Sequence, residues 1–178
     1  SQSTSIETPV ASLWIDEEKI IHIRFKATDQ HGIEEAQTVV SAHNELASGE
    51  PCAVLADIQE VTVGADRAAR VHYVSEESSK YKLGMAMLVS SPMQRMVGNL
   101  FLKLNRPPYP TRLFSQQTDA LQWLRELEKQ RDKKIAIVRN SGELLLDNCR
   151  FSDEELGRLA RKMAGPETKG QSLKDKRK

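Results

Sequence analysis

The sequence predicts an α/β fold: a mixed, mostly parallel sheet with an N-terminal β-hairpin and helices on the sheet faces. Three observations lead there. Short apolar runs alternate with segments whose apolar residues recur every three or four positions, so strand and helix patterns take turns along the chain. The runs Cys52–Ala56 and Met85–Val89 are apolar at successive positions, as central strands covered on both faces are. The 178 residues, 39% of them hydrophobic and 29% charged, can also close one core without a disulfide or metal staple.

The first element is a hairpin. Leu13-Trp14-Ile15 and Ile20–Phe25 are β-rich, and the acidic stretch Asp16–Lys19 turns between them. Thr28 or Asp29 offers a cap for a helix with Ile33, Ala36, Val40, His43 and Ala47 on one stripe, ending at Gly49. The Cys52–Ala56 strand follows and stops at Asp57. A second helix is expected from about Ala65 to Ser79, with the small stripe Ala65, Ala68, Ala69 and His72 allowing close packing on the sheet.

After the Met85–Val89 strand, Ser91-Pro92 reads as an N-cap followed by proline at the first helical position. Met93, Met96, Val97, Leu100, Phe101 and Leu104 make that helix strongly amphipathic, and Pro107, Pro108 and Pro110 stop it. Thr111–Phe114 is the last strand of this unit. Thr118 opens a helix with Ala120, Leu121, Leu124 and Leu127 on its buried side. The order is ββαβαβαβα, and the helical connections imply parallel crossovers.

Beyond residue 128 the pattern changes. Ile135–Val138 and Glu143–Leu146 flank Asn140-Ser141-Gly142 and suggest a second hairpin. Ser152–Glu155 opens a short helix that Gly165-Pro166 ends. The expected organisation is a flexible N-terminus (1–9), a core domain (10–128), a hairpin–helix appendage (129–165) and a flexible basic tail (166–178). Charge follows the same division: residues 1–128 carry 12 basic and 17 acidic side chains, residues 129–178 carry 14 and 8. The overall +1 therefore joins an acidic domain to a basic appendage.

Composition excludes several functions. No run approaches the roughly 20 apolar residues of a bilayer span, and mean hydropathy is −0.52, so membrane insertion is not expected. Cys52 and Cys149 form no CxxC pair, and the polar start has no signal-peptide core, which suggests a reducing cytoplasmic setting. There is no GxGxxG, GxxxxGK[ST], GxSxG or HExxH pattern, so no cofactor, metal or catalytic residue is expected. The basic end has no aromatic residue after Phe151 to stack bases, so specific nucleic-acid recognition is not expected.

Ligands of open α/β sheets bind beyond the carboxyl ends of the parallel strands. That rule singles out Thr28, Asp57, Ser90, Ser91 and Ser115. Asp57 can cap its own loop or accept a bond from a ligand or partner. Ser91 suits an N-cap. Arg67 and Arg70 lie three apart on the second helix, where they can clamp a planar anion or pair with surface carboxylates.

The chain resembles the STAS-like superfamily, which includes the bacterial anti-sigma-factor antagonists, and within it an uncharacterised bacterial set. The resemblance rests on Leu13-Trp14-Ile15, Val54–Ile58, Ala69-Arg70, Leu88–Pro92, Thr111–Phe114 and Ala120–Leu124, and spans about residues 10–128. It implies a regulatory module that binds another protein, such as a signalling component, and can form a homodimer. The antagonists carry a phosphorylatable serine at the start of the second helix. The matching stretch Val61–Asp66 has none: Gly64 stands there, and Thr62 lies two positions early. The expected contact surface is therefore Asp57, Thr62, Arg67 and Arg70, with Ser90 and Ser91 beside it. The alternative is a small-molecule or lipid-binding domain of CRAL-TRIO-like architecture, which would need an apolar pocket.

Overall fold

The computed structural model describes residues 4–139. Six strands form one sheet in the order β1-β2-β3-β4-β5-β6. They are β1 (Ser5–Glu7), β2 (Ala11–Ile15), β3 (Ile21–Phe25), β4 (Cys52–Asp57), β5 (Lys82–Leu88) and β6 (Thr111–Phe114). The helices are α1 (Ile33–Ala47), α2 (Arg67–Tyr73), α3 (Glu76–Ser79), α4 (Pro92–Asn105) and α5 (Gln117–Arg139). The β1–β2 and β2–β3 pairs are antiparallel; β3–β4, β4–β5 and β5–β6 are parallel. The expected mixed α/β sheet with its N-terminal hairpin is thus present. It lies in the compact unit Ser1–Lys134.

The hairpin turn is held by one side chain. Asp16 Oδ1 accepts the backbone N–H groups of Glu18 and Ile20, both at 2.9 Å, while Lys19 takes a left-handed φ of 63°. β4 is the centre of the sheet and is buried on both faces. Val54 and Ala56 face one side, where Val39, Ala42 and Leu46 of α1 pack with Leu13, Ile21, Ile23, Met85 and Met87. Tyr73 of α2 and Phe101 and Leu102 of α4 cover the same side. Ala53 and Leu55 face the other side with Ala86 and Leu88, under Ala120 and Leu124 of α5. The apolar area these two clusters remove from water is the main driving force for folding.

Several elements differ from expectation. Ser5–Glu7 pairs with β2 as an edge strand rather than forming part of a flexible N-terminus. α1 starts after Gly32, whose N–H is accepted by the Glu35 carboxylate at 2.9 Å; Thr28 instead closes a local turn with Gln30. The expected helix over Ala65–Ser79 is two helices, because Ser75 caps a new one by accepting the Ser78 N–H. Ile135–Val138 lies within α5, not in a hairpin strand. The helix-favouring run from Arg125 to Lys134 has no breaker, so helix propagation overrides the local β-branched cluster. The second expected strand, the helix near Ser152 and Cys149 lie outside the described residues.

Candidate functional site

The carboxyl ends of the parallel strands are occupied largely by capping interactions. Asp57 ends β4, and its Oδ1 accepts the Gln59 N–H at 3.0 Å, with Arg24 Nε 3.7 Å from its other oxygen. Ser91 caps α4 by accepting the Gln94 N–H at 3.1 Å. Ser90 is exposed and bonds through its N–H and hydroxyl to Gln94 Oε1. Gln94 Nε2 in turn donates to the Gln59 carbonyl at 2.9 Å. This single side chain ties the loop after β4 to the start of α4.

Thr62 and Arg67 are exposed. Arg70 is half-buried, and its Nη1 donates to the Ala65 carbonyl at 2.7 Å. Asp66 caps α2 by accepting the Ala69 N–H. One guanidinium therefore folds back on its own loop while the other faces solvent. Asp57, Ser90 and Ser91 meet through Gln94 and its loop, whereas Thr62 and Arg67 are not joined to them by any hydrogen bond among the described residues.

A second feature lies under the helical layer. Between the sheet and helices α1, α2 and α4 is a cavity of about 260 Å³. Its floor includes Ile23, Ala56, Met85 and Met87 from three adjacent strands, and its wall includes Val39 and Val40 from α1. Val97, Leu100 and Leu104 of α4 also line it, yet they are 48%, 54% and 63% exposed. They therefore stand at its mouth. Met93 and Met96 extend the same stripe along the solvent face of α4 and are 72% and 66% exposed. Of the amphipathic stripe read from the sequence, only Phe101 packs onto the sheet; the other five residues do not close onto it. α4 instead approaches β6 through Gly98, where an added Cβ would lie 2.8 Å from Leu113 Cδ2.

The lining is apolar apart from a few polar groups, and burial shifts the pKa of His31, His43, Tyr73, Lys82 and Tyr109. His31 Nε2 and the Tyr73 hydroxyl are hydrogen-bonded at 2.6 Å, with Phe25 packed against both rings. Burial lowers the His31 pKa and raises that of Tyr73. His43 is fully buried on α1. Its Nδ1 pairs with Asn44 Oδ1 at 3.1 Å, and its Nε2 has no partner among the described residues. Burial, helped by the nearby Lys82 charge, pushes its pKa down to about 4. Lys82 Nζ reaches the Ser78 carbonyl and, at 2.8 Å, the Ser78 hydroxyl; burial pushes its pKa down to about 7. Tyr109 lies with its ring centroid 5.8 Å from that ammonium, and burial raises its pKa to about 12.

Sequence reasoning placed His43 on a buried stripe but missed this cavity. Lys82 carried no motif, and its only signal was a cation beginning an otherwise buried strand. Among the described residues no group of His, Cys, Asp and Glu is arranged to hold a metal ion. No described helix is long and apolar enough to cross a membrane.

Residues 13–128 match the model of a family described as a domain of unknown function, DUF7793. The solved structures similar to this chain include two of unknown function. One is the crystal structure of an uncharacterised DUF3478-family protein with a SpoIIAA-like fold from Shewanella loihica PV-4. It is 15% identical, with 70% of this chain and 99% of that chain covered and a TM-score of 0.49. The other is a protein with unknown function from Arthrobacter sp. FB24, 29% identical over 63% of this chain and 96% of that one, with a TM-score of 0.24. Among curated proteins nothing matches.

Proposed function

Since the chain belongs to the DUF7793 family, we propose that this member is a non-catalytic binding module whose ligand is a small apolar molecule held between the sheet and α1, α2 and α4. The cavity carries this reading. An apolar space of about 260 Å³ with few polar groups has the make-up of a small-molecule pocket and lies just below the usual size range. A mouth formed by Val97, Leu100 and Leu104 gives a route in from solvent.

Native mass spectrometry and thermal denaturation of the full chain with 1-decanol test this. The expected result is a one-to-one adduct and a raised Tm. Ala65→Phe, which narrows the cavity from the loop before α2, is expected to abolish both. Failure of wild type to bind 1-decanol, decanoate or toluene overturns the reading.

A second reading is supported by a different observation. Met93, Met96, Val97, Leu100 and Leu104 form a continuous exposed apolar stripe, of the kind that marks contact surfaces. A regulatory module binding a partner protein would use α4 rather than the Arg67–Arg70 face. Loss of a co-purifying protein in Met96→Glu/Leu100→Glu, with capture retained in Arg67→Glu, favours it. Equal capture by all three forms counts against it.

A further inference from the structure

The cavity contains a cation with no anion beside it. Among the described residues no carboxylate lies within 4.0 Å of Lys82 Nζ, although seven Lys or Arg ion pairs form elsewhere. Its bonding partners are the neutral carbonyl and hydroxyl of Ser78. An ammonium has three hydrogens, so one remains unassigned. A largely buried charge without a counter-charge is costly, and a ligand that brought the opposite charge would relieve that cost.

His43 adds a second unmet requirement. Asn44 Nδ2 donates to the Glu77 carbonyl, which leaves Asn44 Oδ1 to accept from His43 Nδ1–H. The neutral ring then has a bare lone pair at Nε2, buried and unpartnered on a cavity-lining residue. Lys82 therefore lacks an acceptor, and His43 lacks a hydrogen.

Resting on the small-molecule reading, we propose that the cavity selects an amphipathic monocarboxylic acid whose carboxyl group sits between Lys82 Nζ and His43 Nε2. One carboxyl oxygen accepts the free Lys82 N–H. As the ligand binds, one proton from solvent adds to His43 Nε2, and the N–H bond so formed donates to the other carboxylate oxygen. The hydrocarbon body runs along Met85, Met87, Leu100 and Phe101 toward the mouth. Arg70 also lines the cavity, but it is half-buried and already bonded to the Ala65 carbonyl, so water and backbone satisfy it without a ligand.

Isothermal titration of the full chain with decanoate, 1-decanol and decylamine separates this proposal from the reading beneath it. Wild type is expected to bind decanoate at least tenfold more tightly than 1-decanol, and decylamine most weakly. Lys82→Met removes the cation at similar length; it is expected to keep decanol binding and lose the tenfold preference. Arg70→Gln is expected to keep that preference. Equal binding of decanoate and decanol by wild type overturns the carboxylate assignment while leaving the apolar pocket standing. So does a preference that survives Lys82→Met or disappears in Arg70→Gln. Binding of none of the three probes overturns both.

Discussion

Glu128 Oε1 accepts the backbone N–H of Ala53 at 2.9 Å, linking α5 to the central strand. The β4–β5 register shifts between Cys52 and Ala53, and the helix carboxylate serves an N–H at that irregularity. Arg131 then bonds Glu128 at 2.7 Å and donates to the Pro51 carbonyl at 2.7 Å. The interactions holding α5 to the sheet thus run past residue 128, where both the charge division and the family match end.

Glu128→Ala is expected to destabilise the fold by about 1–3 kcal/mol, the usual range for leaving a buried donor unpaired. Glu128→Gln keeps an acceptor and is expected to lose less. Urea denaturation at neutral pH measures both. Equal losses would mean that Ala53 is served by solvent.

His43 makes stability depend on acid. Its folded pKa, about 4, lies below the ordinary 6.5. The unfolded chain therefore takes up the proton first. Its contribution is complete above pH 6.5 and falls as pH drops toward 4. A shift of this size corresponds to about 3 kcal/mol. His43→Leu is expected to flatten the stability profile between pH 6.5 and 4 in urea titrations. An unchanged slope would place the sensitivity elsewhere.

Lys82 works at higher pH. Its folded pKa, about 7, lies below the ordinary 10.5, so stability is greatest above pH 10.5 and falls as pH drops toward 7. Lys82→Met is therefore expected to raise Tm at pH 6 more than at pH 9. Calorimetry at the two values checks this, and an equal change at both would remove burial of the charge as the cause.

Gly98 lets α4 approach β6. In Gly98→Ala the new methyl meets Leu113 Cδ2 at 2.8 Å, so a loss of about 1–3 kcal/mol is expected from overpacking. Adding Leu113→Val relieves the contact, and the double variant should recover part of the loss in chemical denaturation. No recovery would mean that the strain lies in α4 itself.

The hydroxyl of Tyr73 ties the end of α2 to the segment before α1 through His31. Tyr73→Phe removes that bond and keeps the ring against Phe25. A loss of about 1 kcal/mol is expected, measured as a lower urea midpoint.

Local signals carried much of the architecture. The Cys52–Ala56 and Met85–Val89 runs read as central strands because both of their faces are apolar, and both are buried. Ser91-Pro92 marked the start of α4 because capping chemistry is local. Asp57 and Ser91, which the sequence offered both as caps and as candidates for ligand contact, form the caps. Competition between neighbouring signals produced the misses. Ser75 splits one expected helix in two, and Ile135–Val138 continues α5 because helix propagation extends from the preceding turns.

The sequence by itself determined most of the elements, their succession from β2 to α5 apart from the split second helix, and the two covered faces of β4, because hydrophobic periodicity and capping act within a few residues. Tertiary structure alone decided where the helices leave space. The α4 stripe is equally apolar whether it seals the core or rims a cavity; in the fold α4 meets β6 closely at Gly98 and leaves most of the stripe facing out. Likewise, Lys82 and His43 are 39 positions apart in the chain. Their shared burial, and the unmatched donor and acceptor it leaves, exist only once α1 is laid across β5.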